Sequence, residues 1–447
     1  MQTSFTLAQL ADPNIAEAER ILRACVHCGF CTATCPTYVL LGDELDSPRG
    51  RIYLIKDMLE HDRPATADVV KHIDRCLSCL ACMTTCPSGV HYMHLVDHAR
   101  VHIENTYARP RVDRWLRAFL ARVLPDNGLL RWALGTARLG KPFSGVFAAL
   151  GLAPVAAMLR LAPSRLPAKA AATGTGRFPP TAPRRGQVAL LTGCVSPVIA
   201  PSISAAAIRV LTRHGIEVVV ADAGCCGSIV HHMGREQEAL SAARRQIDAL
   251  TAEIEGEGLD AILVTASGCG TTVKDYGYVL RTDRAYAEKA LCVSRLARDI
   301  SEYLRGLDLA SKRAPSALVV AYHSACSLQH GQKIVGAPKE LLCKMGFVVK
   351  DVPEGHLCCG SAGTYNILQP ELARRLRERK VGNIEKLKPD VIAAGNIGCM
   401  TQIAAGTVIP VVHTVELIDW ATGGPEPEAL AGKRGSSAAA APVAPAK

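Results

Sequence analysis

The chain has 447 residues, 49 % of them hydrophobic and 21 % charged, with 51 Lys and Arg against 41 Asp and Glu. It is long enough for several domains with ample core and too apolar to be disordered. Aromatic content of 4 % argues against a base-stacking surface, so no nucleic-acid partner is expected. The 18 Cys, with Asp12, Glu17 and Glu19 where a secretory leader would be apolar, read as metal ligands in a reducing cytoplasm rather than as a disulfide framework.

Residues 1–24 end in a short amphipathic helix, because Ile15, Ala18, Ile21 and Leu22 are spaced for one face. Cys25-Val-His-Cys28-Gly-Phe-Cys31-Thr-Ala-Thr-Cys35-Pro36 follows, and fifty-one residues later the same C-x2-C-x2-C-x3-C-P pattern returns as Cys76-Leu-Ser-Cys79-Leu-Ala-Cys82-Met-Thr-Thr-Cys86-Pro87. This is the bacterial ferredoxin pattern, in which the fourth Cys ligates the other copy's cluster. Two-residue gaps let three thiolates wrap one face of a cube, and the longer gap before Pro carries the last one to the neighbour. The expected ligand sets are Cys25, Cys28, Cys31 and Cys86 for one [4Fe–4S] cluster and Cys76, Cys79, Cys82 and Cys35 for the other. Structural zinc is the weaker reading, since zinc sites normally take their four ligands in pairs. Between the motifs, residues 46–51 form a turn into a helix over 52–59. Its two arginines, Arg49 and Arg51, either tune a nearby cluster or are solvated around a capped turn. After the second motif His91, His94, His98 and His102 recur at helical spacing. With no acidic or thiolate partners nearby, they read as satisfied histidines of a partly exposed helix rather than as a haem or metal stripe.

Residues 109–186 are expected to be a basic helical connector. Between 109 and 169 there are eleven Lys and Arg against Asp113 and Asp126, nearly the whole of the net charge of +10. Trp115, Leu116, Phe119, Leu120, Leu124, Leu130, Trp132 and Leu134 alternate with arginines in a helix-like pattern. The uncharged run 142–159 is interrupted by Gly145, Gly151 and Pro154 and only reaches the lower end of spanning length. An interfacial amphipathic helix or a partner-docking hairpin is expected, with an ordinary connector as the alternative. Residues 171–186 read as a linker. The pattern then becomes α/β, with strands over 188–192, 216–220 and 261–265 and helices over 203–213 and 236–255. The tail 423–447, rich in Ala, Pro and Gly, is expected to be disordered.

The α/β part is doubled, over 187–310 and 311–422. The first half carries Cys194, Cys225-Cys226-Gly227 and Cys269, and the second carries Cys326, Cys358-Cys359-Gly360 and Cys399. The gaps agree, at 31 and 32 residues to the Cys pair and 43 and 40 to the last Cys. Each Cys follows an expected strand, so the thiols gather at the carboxyl ends of parallel strands, where ligands bind and helix N-termini favour thiolates. Four thiols per half suggest a metal or redox centre, such as a further iron–sulfur cluster. A vicinal disulfide at Cys225-Cys226 is disfavoured in a reducing compartment. Cys292 and Cys343 fall outside the repeat and are expected in the core. The halves differ after the Cys pair, where His231 and His232 face Thr364 and Tyr365 in the sequence comparison. An acceptor that takes up protons with its electrons needs a proton donor, so these two histidines are candidate acceptor-site residues, against the alternative of hydrogen bonds at a helix start. The fold class is α+β multidomain: a mainly helical two-cluster ferredoxin-like unit over 1–108, the connector, then the duplicated α/β Cys-Cys-Gly domain. No dinucleotide-binding glycine motif after an expected strand, no P-loop and no arginine–histidine site clearly built for a 2-hydroxy acid is found.

A twin ferredoxin segment followed by two Cys-Cys-Gly repeats resembles the iron–sulfur subunits of glycolate oxidase. It is similar, more broadly, to the anaerobic glycerol-3-phosphate dehydrogenase small subunits and the heterodisulfide reductases. Ser47-Pro48-Arg49-Gly50-Arg51-Ile52-Tyr53, Cys86-Pro87-Ser88-Gly89-Val90 and His413-Thr414-Val415-Glu416 favour the glycolate oxidase family, over nearly all of residues 10–420. The resemblance implies an electron-transfer subunit fed by FAD-binding partner subunits that oxidise glycolate to glyoxylate. It implies a membrane quinone as acceptor and a cytoplasmic chain lying peripherally on the inner face of the cytoplasmic membrane. The alternatives are the same relay for lactate or glycerol 3-phosphate, a heterodisulfide-reductase-like enzyme, and a zinc-bound scaffold. The heterodisulfide reductase repeat ends in C-x2-C and supplies five cysteines per site. Here Ala266 and Asn396 stand three residues before the last Cys, with Thr272 and Gln402 three after, so that family's non-cubane cluster is not implied.

Overall fold

Asp12 accepts a hydrogen bond from the Asn14 amide and Pro13 stands in the first turn, so the helix Pro13–Ala24 starts where its free N–H groups find a partner. Its buried Ala18, Ile21 and Leu22 pack against the helices Pro48–Glu60 and Tyr92–Thr106. Ile52, Ile55, Leu59, Leu95, Val96, Ala99 and Ile103 complete a core that also holds Cys25, Cys76 and Cys82. The thiols are thus built into the hydrophobic interior. The computed structural model describes residues 1–163, 165–168, 174–312 and 318–431, and its mixture of helical and sheet parts is the fold class expected from the sequence.

The connector folds as the helices Arg111–Val123, Asn127–Gly140, Ser144–Ala149 and Ala153–Leu161. Part of its positive charge is internal. Arg109 and Arg117 each reach Asp74 at 2.8 Å, and both also pair with Asp113. The apolar positions divide as well: Leu120 and Leu130 are buried, whereas Trp115, Trp132, Leu139, Phe143 and Leu150 are exposed. Among the described residues, no helix is long and apolar enough to cross a membrane.

Nine strands follow among the described residues: β1 (Gly176–Phe178), β2 (Gly186–Leu191), β3 (Ile216–Val220), β4 (Ala261–Val264), β5 (Ala297–Asp299), β6 (Val319–His323), β7 (Val348–Asp351), β8 (Val391–Ala394) and β9 (Val411–His413). The first sheet has the order β1-β3-β2-β4-β5 and the second β7-β6-β8-β9, so the second repeats the first without its edge strand. All pairings are parallel except β1 with β3. The supposed linker 171–186 therefore contains a strand. Three residues sufficed because Val218–Val220 presents a free sheet edge, a feature that composition does not report.

Both faces of each sheet are covered, as the continuous apolar runs of parallel strands require. Val188, Leu190, Val218, Val220 and Leu263 from the first sheet and Val320, Tyr322, Val391, Ala393 and Val412 from the second form one cluster. Ala189, Leu191, Ile262 and Val264 face a separate layer. The two sequence repeats thus close a common core between them. Arg209 and Arg213 of the first half bind the buried Asp419 of the second at 2.6 and 3.0 Å, and His413 Nε2 donates to the Thr265 carbonyl at 2.8 Å. The helix Glu428–Ala431 departs from the expected disordered tail, since Leu430 is buried in the common core. Residues 432–447 of that tail lie outside the described residues. Cys292 and Cys343, expected in the core, are exposed. Ala290 and Val293 on one helix, and Leu341 and Leu342 on the other, take the inward positions instead.

Candidate metal centres

The two ferredoxin-type motifs adopt one backbone plan. His27 and Gly29 in the first, and Ser78 and Leu80 in the second, all take positive φ (56°, 84°, 48° and 62°). Three of these are not glycine, a strained choice that persists only where the surroundings impose it. The turns bring the thiols together. Burial raises the Cys82 thiol well above its ordinary value, and Cys79, Cys76 and Cys35 add to the effect. Cys35, from the other motif, is thus beside the second motif's first three thiols. Burial also pushes Cys31 up to about 11, with Cys25 adjoining it. Cys86 packs with Cys31 against the core that contains Cys25. All 18 cysteines are free thiols. Buried thiols crowded in this way resist ionisation on their own, so the set fits a bound cation that stabilises thiolates.

The two arginines after the first motif separate. The helix that carries them begins at Pro48 rather than at 52, capped by Ser47, which places Arg51 in its buried first turn. Arg51 is 1 % exposed. It donates to the His72 carbonyl at 2.7 Å, to Thr37 Oγ1 at 3.0 Å and to Cys35 Sγ at 3.8 Å, and it pairs with Asp46 at 3.4 Å. Burial opposes its charge, but Cys76, Tyr92, Cys35 and Asp46 hold its pKa above the usual arginine value. Arg49 stays partly exposed, paired with Glu44 at 2.7 Å. Both arginines therefore reach a thiol motif, Arg51 from within the core and Arg49 from the surface, where it also donates to the His27 carbonyl at 3.3 Å.

In the first Cys-Cys-Gly half the thiols touch in series. Cys194 bonds Cys225, Cys225 is next to Cys226, and Cys226 bonds Cys269. Hydrogen bonds from Cys194 and Cys226 pull Cys225 below its ordinary pKa, and the bond to Cys225 raises Cys194 correspondingly. The second half repeats the series, with Cys326 Sγ 3.8 Å from Cys358 Sγ, then Cys359, then Cys399. Each glycine after a pair has a local reason. Gly227 and Gly360 take φ of +81° and +89°, and a Cβ on Gly360 would lie 2.6 Å from the Ala373 carbonyl oxygen. Gly360→Ala is expected to destabilise the chain by about 2–5 kcal/mol, from left-handed strain plus overpacking. A denaturant melt measures this, and Gly227→Ala, whose nearest atom is at 3.0 Å, should cost less.

The N-terminal thiols and the second half meet. Cys79 and Cys358 belong to one buried cluster, with Cys326 packed against it. Burial and then Cys326 raise the Cys79 thiol. Thr84 Oγ1 lies 2.8 Å from His330 Nδ1 across the same junction. A cavity of about 1700 Å³ reaches thiols of both halves, including Cys194, Cys225, Cys226 and Cys269 from the first and Cys326, Cys358 and Cys399 from the second. Phe119, Leu130, Trp132 and Met158 of the connector form its apolar wall. No spacing rule could place residues 115–160 over these cysteines; only their alternating apolar pattern hinted at a face to be covered.

His232 lines this cavity, and His231 does not. Both histidines turn toward Asp97 of the helix Tyr92–Thr106, His231 at 3.3 Å and His232 at 3.7 Å. Burial alone would lower His231, but Asp97 outweighs it and the pKa is raised; burial prevails at His232, whose pKa is lowered. His94, expected to lack an acidic partner, has one from far along the chain: Asp275 at 3.0 Å, with Tyr278 stacked on its ring at 3.4 Å. Two donors were missed from sequence. His323, 1 % exposed, lies with Cys359 and Cys399, their ligand atoms all within 4.8 Å of one another. Burial, helped by Lys380, lowers its pKa to about 3, so the imidazole is neutral. Lys380 is itself buried beside Cys359 and Cys358.

Residues 21–90 match the model of a 4Fe-4S dicluster domain, and residues 188–274 and 320–404 each match that of a cysteine-rich domain. In solved structures, a hypothetical protein from Helicobacter pylori has the same overall fold, with a TM-score of 0.53 at 10 % identity over 94 % of this chain and 74 % of that one. The lactate utilization protein A of Oceanobacillus iheyensis is 25 % identical over 52 % of this chain and 96 % of its own length. A probable glycolate oxidase iron–sulfur subunit from Bacillus subtilis is 28 % identical over 86 % of this chain and 88 % of its own. The glycolate oxidase iron–sulfur subunit of Escherichia coli is 44 % identical, over 94 % of this chain and 99 % of its own. With that identity along nearly its whole length, the chain belongs to the family of glycolate oxidase iron–sulfur subunits.

Proposed function

We propose that this chain relays electrons from FAD-binding partner subunits, which oxidise glycolate to glyoxylate, to a membrane quinone. One observation carries the reading: Cys79, Cys326 and Cys358 meet in one buried cluster, so a line of thiols runs from the N-terminal unit into the second Cys-Cys-Gly half. In this reading Cys25, Cys28, Cys31 and Cys86 hold one [4Fe–4S] cluster, and Cys76, Cys79, Cys82 and Cys35 hold the other. Cys194, Cys225, Cys226 and Cys269, and Cys326, Cys358, Cys359 and Cys399, hold further metal or redox centres. Bound iron–sulfur clusters supply one-electron carriers. The chain's own residues set their surroundings. Cys28 is exposed beside the exposed Val26 and Phe30, a face suited to a flavin-bearing partner. The buried second set of thiols keeps water from the path inward.

The cavity over the Cys-Cys-Gly thiols suits the quinone. It is apolar on the connector side, polar at the thiols, and His232 could hand on a proton, with His231 and Asp97 behind it. The exposed Trp115, Trp132, Leu139, Phe143 and Leu150, interspersed with arginines, would rest on the inner face of the cytoplasmic membrane and bring a lipid-soluble acceptor to the opening. The likeness to lactate utilization protein A over half of this chain supports lactate as a second reading of the substrate.

The test is the complex assembled with its flavoprotein subunits, given glycolate, lactate or glycerol 3-phosphate in turn. Glycolate is expected to reduce both quinone and an artificial dye that accepts electrons at the flavin. Cys358→Ser should abolish quinone reduction and spare dye reduction. Quinone reduction that survives Cys358→Ser refutes the route, and turnover with lactate but not glycolate transfers the assignment to lactate.

A further inference from the structure

β2 and β6 occupy the same place in the two halves, and their last residues are Leu191 and His323. Each stands three residues before the first Cys of its half. Each pairs with the last residue of the next strand, Leu191 with Val264 and His323 with Ala394. The backbone is repeated and the side chain is not. Leu191 packs into the apolar layer of the first half. His323 is 1 % exposed, and neither of its ring nitrogens has a hydrogen-bond partner among the described residues. Buried polar side chains are almost always paired, so an imidazole with both nitrogens bare calls for an explanation. Its surroundings supply one, since a ring nitrogen and the thiols of Cys359 and Cys399 lie within 4.8 Å of one another, all of them buried.

We propose that the second Cys-Cys-Gly half binds a first-row transition metal, iron or zinc, through mixed nitrogen and sulfur ligation, with His323 as the nitrogen donor beside Cys359 and Cys399. The first half is restricted to sulfur, because Leu191 fills the corresponding position. Thiolate and imidazole together suit both metals. Cys326 and Cys358, 3.8 Å apart and continuous with Cys359, extend the donor set on the side of Cys79. The two halves would therefore differ in metal affinity and potential despite a common framework, with the nitrogen-ligated one next to the N-terminal thiols. This inference rests on the reading that the Cys-Cys-Gly halves bind metal, and the experiment separates the two.

The full chain, purified anaerobically, is assayed for iron, zinc and acid-labile sulfide, as wild type, His323→Leu and His323→Cys. Wild type is expected to carry metal beyond the roughly eight irons of two four-iron clusters. His323→Leu should lose the part of that surplus held by the second half, keep the eight irons and their sulfide, and melt at a lower temperature. His323→Cys should regain the metal with an altered X-ray absorption edge, sulfur replacing a nitrogen neighbour. Retention of the eight irons reports that the fold survives substitution. Wild type with no surplus metal refutes the reading of the Cys-Cys-Gly halves, whatever His323 does. Surplus metal unchanged in His323→Leu, together with a raised melting temperature, overturns the proposal alone: removing a bare buried imidazole then relieves a desolvation cost, and the metal reading stands.

Discussion

Cys35→Ser is expected to empty the same four-iron site as Cys79→Ser, although Cys35 belongs to the first motif and Cys79 to the second. Burial raises the Cys79 and Cys82 thiols, and Cys35 and Cys76 both add to the effect, so Cys35 lies close to the second motif's thiols. Each variant should retain about four of eight irons. Cys86→Ser should instead remove the other four, because the ferredoxin pattern sends the fourth Cys of each motif to the other motif's cluster. Metal binding is coupled to folding, so part of the N-terminal helical core is expected to loosen with the loss of either cluster. Changes to groups around a metal commonly cost 10–100-fold, so loss of a ligand should lower quinone reduction by at least about 100-fold. Iron and sulfide analysis with the absorption spectrum of each variant measures the outcome. If Cys35→Ser and Cys28→Ser lose the same iron, the crossed ligand sets are wrong.

Arg51→Met is the second large effect, and it acts on both stability and potential. The guanidinium is buried among Cys35, Thr37, Asp46 and His72. Removing it leaves the fully buried Asp46 with Arg75, at 2.7 Å, as its remaining arginine partner. Breaking a buried pair on one side commonly costs 3–5 kcal/mol, and a loss of about that size is expected in a denaturant melt. A cation here also favours the reduced, more negative form of a neighbouring cluster. Arg51→Met should lower the potential of the cluster held by Cys35 and Cys76 by about 50–100 mV, the one-electron equivalent of roughly 1–2 kcal/mol. Asp46→Asn should raise it. A potentiometric titration that finds both potentials unmoved would show that this charge is not felt at the thiols.

The parts of the site legible in the sequence are those whose chemistry needs neighbours along the chain. Ferredoxin-type thiols must follow one another at short gaps, so Cys25 to Cys35 and Cys76 to Cys86 announce themselves. The doubled Cys-Cys-Gly plan was visible for a related reason. Each thiol follows a strand end, and strands such as Ala261–Val264 are written as unbroken apolar runs. The helix that ends at Ala24 was legible because Ile15, Ala18, Ile21 and Leu22 recur at helical spacing. The strand Gly176–Phe178 was not, because it consists of three ordinary residues whose partner, Val218–Val220, is forty residues away.

Sequence alone therefore determined which cysteines stand at metal-ligating spacing, their grouping into two motifs and two repeats, and the family to which the chain belongs. Those are local matters of spacing, period and strand termination. The tertiary structure decided the rest: Cys79 beside Cys358, Asp97 beneath His231 and His232, Asp275 against His94, the connector's Trp132 and Met158 over the thiols, and Arg51 and His323 out of water. Each of these joins residues tens to hundreds of positions apart, and each gets its meaning from burial. An arginine or a histidine reads alike in any solvated stretch of sequence. Only when packing removes water does the first become a fixed charge at a thiol cluster and the second a bare nitrogen facing two thiols.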